Sequence, residues 1–377
     1  MTAEAPPASA PAAQRRLLFL DGLRGIALIL MVVNHTSRWW LDVKPLGWPR
    51  YYLIYGSVIL PASIFLFLVG FCLPISYRRS PERDRMTATL LKYGRRGLQV
   101  IAAGLLLNLV VFPEEPIWTG GVLQTIGLSI VVLGPLLPLL RSRWGREGLL
   151  ALAVGLFVAF TLSYQALQQW VVAHPVMGRI WFFDFPPWPW LSAALIGLVL
   201  GWRWLDARER GRAAEARYFA TAALVGVVCL LFYLAWEWWL PTAPRFGFPR
   251  DFLLNRHWTP RGVTTALIAG GLACLLAGTY WLMEVKGWQL RWLVVLGQTA
   301  LMLYFVHQLI VLTLINQALG LRFNNWPLYI GANLALIVLL VGIGYAWLAI
   351  KRAWRAHGLG PASVWRTFGA RRGAAVK

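Results

Sequence analysis

The chain is punctuated by apolar runs, each long enough to cross a bilayer, and that repetition leaves few folds open to it. About 20 helical residues cover roughly 30 Å of hydrocarbon, and in lipid the backbone must satisfy its own hydrogen bonds. Runs bounded by Arg, Pro, Gly or Trp fall at 17–37, 53–75, 97–112, 121–140, 149–170, 188–205, 218–240, 262–284, 292–315 and 327–350. They predict an all-α polytopic membrane protein of about ten transmembrane helices. A chain that is 58% hydrophobic and only 14% charged also lies outside the range of water-soluble globules.

Charge supplies a test of that count, because Lys and Arg collect in alternate loops on the cytoplasmic side. With both the N-terminus and the C-terminus cytoplasmic, 26 of the 36 Lys and Arg residues fall in inner segments and nine in outer ones. An odd number of helices would break the alternation. The net charge of +21 is therefore mainly a topology signal, with anionic lipid of the bilayer as its partner. It carries no aromatic-interleaved face of the kind nucleic acid requires. The expected organisation is a disordered Pro/Ala-rich tail over 1–14, a transmembrane domain over 15–350 and a basic cytoplasmic tail over 351–377, in a bacterial-type inner (plasma) membrane. Cys72, Cys229 and Cys274 sit in apolar runs at unrelated spacing, so no disulfide framework or metal cluster is expected.

Function is sought first among polar groups inside the runs, since an ionisable side chain in hydrocarbon costs several kcal/mol unless it is paired or faces a cavity. The first run, RRLLFLDGLRGIALILMVVNH, holds three. Asp21 and Arg24 stand three residues apart, where they can pair on one helix face. His35 follows Arg24 by eleven residues, close to three full turns, so both lie on one stripe about 16 Å apart along the axis. The plain reading is a neutralised interfacial pair and a helix-end His reaching for water.

A resemblance shifts that balance. DGLRGIALILMVVNH resembles the first helix of the heparan-alpha-glucosaminide N-acetyltransferase-like membrane proteins, and its Arg-x10-His pattern is similar to the related acyltransferase family 3. SIFLFLVGFCLPISYRR, LKYGRRGLQVIAAGLLLN, GVLQTIGLS and LGQTALMLYFVHQLIV are similar, in order, to further segments of such proteins, so the likeness extends to about residue 315. In the lysosomal members Asn stands where this chain has His35 and the catalytic His follows in the luminal loop. Residues Thr36–Arg50 contain no His, so the arrangement is closer to family 3.

The resemblance implies an acyltransferase that moves an acyl group, usually acetyl, from cytoplasmic acyl-CoA to an amine or hydroxyl of a glycan or similar acceptor at the outer face. Acetyl-CoA would be co-substrate, with no metal. CoA phosphates call for a basic mouth, for which Arg24, Arg95 and Arg96 are the candidates, although Arg95 and Arg96 are equally ordinary positive-inside residues. The acceptor's proton needs a base. His35 is the first choice and His307, flanked by LMLYFV and LIVLTLI, the second, with a hydrogen-bonded structural His as the equal alternative for His307. Asp21 and Arg24 would organise the first helix and the CoA end, and Gln124 and Asp184 are the expected acceptor-side residues. Asn34, Asn108, Asn316 and Asn333 read as interhelical hydrogen-bonding residues, and His174 and His257 as outer-loop residues. No HExxH, Walker A or GxGxxG motif offers a rival chemistry. The alternative function is a transporter or flippase for a lipid-linked or anionic substrate, in which the same polar stripe lines a path and no bond is made.

Overall fold

The computed structural model describes residues 16–41, 57–183, 185–239 and 264–357. Most of these residues are helical and none forms a strand: α1 Leu18–Trp40, α2 Ser57–Arg78, α3 Met86–Val111, α4 Val122–Leu133 with a 3₁₀ continuation Gly134–Arg141, and α5 Arg143–Leu162. Then follow α6 Tyr164–Ala173, α7 Pro175–Trp181, α8 Pro187–Glu209, α9 Arg212–Trp239 and α10 Thr264–Tyr280 with a π turn Trp281–Val285. The chain closes with α11 Arg291–Gln298, α12 Ala300–Gln308 running into a π segment Leu309–Ala318, and α13 Trp326–Ala356.

Nine helical segments among the described residues are long and apolar enough to cross a membrane, and they coincide with nine of the ten expected runs. The remaining run, 188–205, is helix α8, 23 residues long. Two prolines, four tryptophans and Arg203 make it the least apolar of the set. Its burial explains why that suffices. Trp190, Ala194, Leu195, Leu198, Val199 and Trp204 are each at most 1% exposed, so neighbouring helices shield most of α8 and its own surface need not be wholly apolar.

Three boundaries differ from the sequence reading. Helix α3 starts eleven residues ahead of the expected run, because the basic stretch with Lys92, Arg95 and Arg96 is itself helical. The fifth run ends at Ser163, and α6 is a separate short helix. The ninth run breaks at Thr299, where the backbone leaves helical geometry (φ −112°, ψ 10°).

Contacts between helix ends show the up-and-down alternation directly. Arg24 reaches Cys72, Lys92 reaches the Ser76 carbonyl, Arg78 pairs with Glu209, and Trp204 bonds Glu215. The starts of α1, α3 and α9 and the ends of α2 and α8 therefore share one end, here the basic end. At the far end Thr36 donates to Asn333 Oδ1 (2.6 Å), Trp40 donates to the Val311 carbonyl (3.1 Å), and Asn108 donates to the Thr119 carbonyl (2.7 Å). Asn333 thus bonds across helices, from α13 to α1, as expected, whereas Asn108 ties down the loop that follows its own helix rather than another helix.

Two close crossings fix the bundle. Gly70 of α2 and Gly197 and Gly201 of α8 lie where any Cβ would collide with the facing backbone carbonyl. Gly25 of α1 and Gly297 of α11 do the same between those helices. Lipid tails are as apolar as the helices they solvate, so close backbone packing of this kind replaces the hydrophobic drive that holds soluble bundles.

Candidate active site

Helix α1 carries the polar stripe, and its neighbours turn that stripe into one wall of a cavity. The cavity has a volume of about 560 Å³ and runs along α1 from Arg16 to Trp39. Helices α2, α3, α4 and α12 close the other sides through Cys72, Arg96, Gln124 and Tyr304, among others.

At the basic end, Asp21 is held from both sides. Arg16 Nε donates to Asp21 Oδ2 at 2.6 Å and Arg24 Nη1 to Oδ1 at 2.9 Å. Arg24 Nη2 also contacts Cys72 Sγ at 3.0 Å. The Asp21–Arg24 pair expected from their spacing is therefore formed, and it leaves three guanidiniums, of Arg16, Arg24 and Arg96, on the cavity wall against one buried carboxylate. Arg95 is exposed and does not line the cavity. One helical position separates Arg95 from Arg96, about 100° around the axis, and that rotation divides the two.

At the far end, His35 and His307 meet. His35 Nδ1 and His307 Nε2 are 2.8 Å apart. The rings are within 4° of parallel with centroids 5.1 Å apart, a separation that such a short nitrogen contact permits only when the rings lie in line, edge to edge. This is the geometry of a direct in-plane hydrogen bond. His35 lines the cavity, whereas His307 is fully buried behind it.

The surrounding bonds assign the protons. His307 Nδ1 lies 2.9 Å from the Leu303 carbonyl, which can only accept, so Nδ1 carries the hydrogen and a neutral His307 presents a bare Nε2. His35 Nδ1–H must then donate to His307 Nε2, and His35 Nε2 is left as an unprotonated base. Gln308 Nε2 lies 3.0 Å from the same His35 Nδ1, and Gln308 Oε1 is buried without a partner among the described residues. An amide N–H only donates, so the Nδ1–H assignment requires the amide oxygen to face His35 instead.

Of the other expected residues, Gln124 lines the cavity and donates to the Thr119 carbonyl at 3.2 Å. Asp184 and His257 lie outside the described residues. His174 is exposed at the end of α6 and bonds the Trp170 carbonyl. Asp21 and Arg24 are 14 and 11 residues from His35, about 21 and 16 Å along the helix, so they cannot share a proton transfer with it. The cavity also takes in Asn34, Cys72, Tyr304 and Gln308, which sequence reasoning did not single out for the site. Only Gln308 had a local signal, its position beside His307. At the far mouth, Trp39, Phe183 and Phe185 line the cavity together with Glu115, which pairs with Arg179.

The family model described as heparan-alpha-glucosaminide N-acetyltransferase, catalytic, matches residues 16–237. That match takes in Asp21, Arg24, His35, Arg96 and Gln124 and stops short of His307. No curated protein gives a match.

Proposed function

The chain belongs to the heparan-alpha-glucosaminide N-acetyltransferase catalytic family, and from that premise we propose that it transfers an acetyl or related acyl group from acyl-CoA, received at the basic end, to an amine or hydroxyl at the far end. The observation that carries this reading is the single cavity joining Arg16, Arg24 and Arg96 to His35. Guanidiniums match phosphate oxygens in charge and geometry, which makes the basic mouth the place for the nucleotide end of CoA. The pantetheine arm then lies along α1 and brings the thioester towards His35.

In this scheme His35 Nε2 takes the proton of the acceptor O–H or N–H as that atom attacks the thioester carbonyl carbon. The imidazolium so formed is stabilised through Nδ1–H by His307 Nε2, the part that a carboxylate plays beside His in other acyl transferases. When the tetrahedral intermediate collapses, the C–S bond breaks, the CoA thiolate takes the proton from His35, and the base is restored. Trp39, Phe183 and Phe185 offer apolar faces for a sugar ring. The basic loops, cytoplasmic by the charge rule, would set the donor inside and a glycan-like acceptor outside.

The test is transfer in proteoliposomes, with labelled acetyl-CoA on one side and amino sugars or glycans on the other. A carrier or flippase would leave the thioester intact. His35→Ala should keep acyl-CoA binding and lower turnover by about 10²-fold or more, and should lose the fall in rate at acid pH that protonation of a base imposes. Near-wild-type transfer by His35→Gln would remove His35 as the base.

A further inference from the structure

A second hollow, unrelated to the first, opens between α5, α8, α9 and α10. Its volume is about 1460 Å³, beyond the roughly 300–1,000 Å³ of ordinary small-molecule pockets. The tight α2–α8 crossing separates the two: Leu68 and Val69 face the first cavity, and Phe67 lines the second. The middle of the groove is apolar, built by Phe157, Ile196, Leu200, Val225 and Leu272.

One end of the groove is strongly charged. At the basic end the groove is lined by Arg143, Arg146, Arg203, Arg210 and Arg217 against Glu147, Asp206 and Glu209. The carboxylates are already taken: Glu147 by Arg203 at 2.7 Å, and Asp206 and Glu209 by Arg78, which is not part of the groove. Arg143 and Arg217 make no ion pair among the described residues. The local field therefore favours an anion.

A cationic end that leads into an open apolar trough fits a lipid whose phosphate sits at the arginines and whose acyl chain lies in the trough. We propose that this groove is a phospholipid-binding site. Its arginines hold the phosphate of an anionic phospholipid whose acyl chain fills the trough. The site is independent of the catalytic reading, since it shares no residue with the first cavity.

Native mass spectrometry of the detergent-solubilised full chain, titrated with phosphatidylglycerol or phosphatidylcholine of matched acyl chains, tests it. The wild type should retain phosphatidylglycerol preferentially. Arg143→Gln with Arg217→Gln should weaken that retention by about 30-fold, two near-surface cationic contacts at their usual strength, and leave phosphatidylcholine unaffected. Arg143→Lys with Arg217→Lys should restore most of the preference. Ala273→Trp, which fills the trough, should reduce retention of both lipids. Equal retention of the two lipids by the wild type, or undiminished phosphatidylglycerol binding by the Gln pair, would overturn the proposal.

Discussion

Replacing His307 isolates the contribution of the histidine pair. His307→Phe keeps a ring of similar size in a site that is fully buried, so it leaves no large void, but it removes the nearer of the two acceptors of His35 Nδ1–H and leaves only the Gln308 amide. The lost bond is a single 2.8 Å contact that becomes charge-assisted only when His35 holds the acceptor's proton. Such bonds contribute about 1.5–3 kcal/mol. With a factor of ten per 1.36 kcal/mol, kcat should fall by about 10- to 150-fold. The donor site lies about 16 Å away along α1, so the KM for acetyl-CoA should stay within about twofold, the split expected when an interaction specific to the transition state is removed. His307→Gln, whose amide oxygen can accept from Nδ1–H, should recover part of the loss. The assay is steady-state transfer in proteoliposomes alongside thermal melting in detergent. Wild-type kcat in His307→Phe would refute the reasoning, as would a rise in KM for acetyl-CoA at constant kcat. Equal losses in the Phe and Gln variants, tracking equal losses of melting temperature, would make His307 a packing residue.

Arg96→Ala should raise the KM for acetyl-CoA by about tenfold, one charge-assisted phosphate contact, while Arg95→Ala should leave it unchanged; the reverse order in substrate titrations would contradict the placement of Arg96 on the cavity wall. Gly297→Ala should lower yield and melting temperature sharply, because its methyl group would collide with the Asp21 carbonyl, whereas Gly148→Ala, with open space around it, should be neutral or stabilise α5 by up to about 1 kcal/mol. Thermal melts of the two purified variants decide it. Cysteines introduced as Arg83→Cys and Glu114→Cys report sidedness: a membrane-impermeant thiol reagent should label position 114 in intact cells and position 83 only after permeabilisation.

The helices were legible in the sequence because hydrocarbon imposes a length and a polarity on any segment that crosses it. Helix α8 was the faint one for a physical reason, since a helix wrapped by others escapes that demand. The stripe on α1 was equally legible, as Asp21, Arg24 and His35 share one element and helical geometry fixes their relation. The junction of His35 with His307 was not. The two lie 272 residues apart in the chain, and nothing local to either announces the other. His307 sits on a short helix that begins after the break at Thr299 and gives way to a π segment directly after Gln308. Irregular turns of this kind recur at functional sites, yet LGQTALMLYFVHQ reads as uninterrupted helix. Cys72 escaped notice for the same reason, its place in the site being set by helices remote in sequence.

A cavity that touches both halves of the bilayer has a consequence for the membrane that holds it. Any aqueous thread between the two sides would dissipate the ion and proton gradients on which a cell runs. Here the basic mouth carries three guanidiniums for one carboxylate, and Arg38 lines the far stretch beside His35. Fixed positive charge in a low-dielectric passage repels hydronium and metal cations, the device by which water channels refuse protons. In the proposed reaction, the same arginines that suit an anionic donor would also insulate the membrane electrically, so that a neutral acyl group would change sides while the membrane potential is kept.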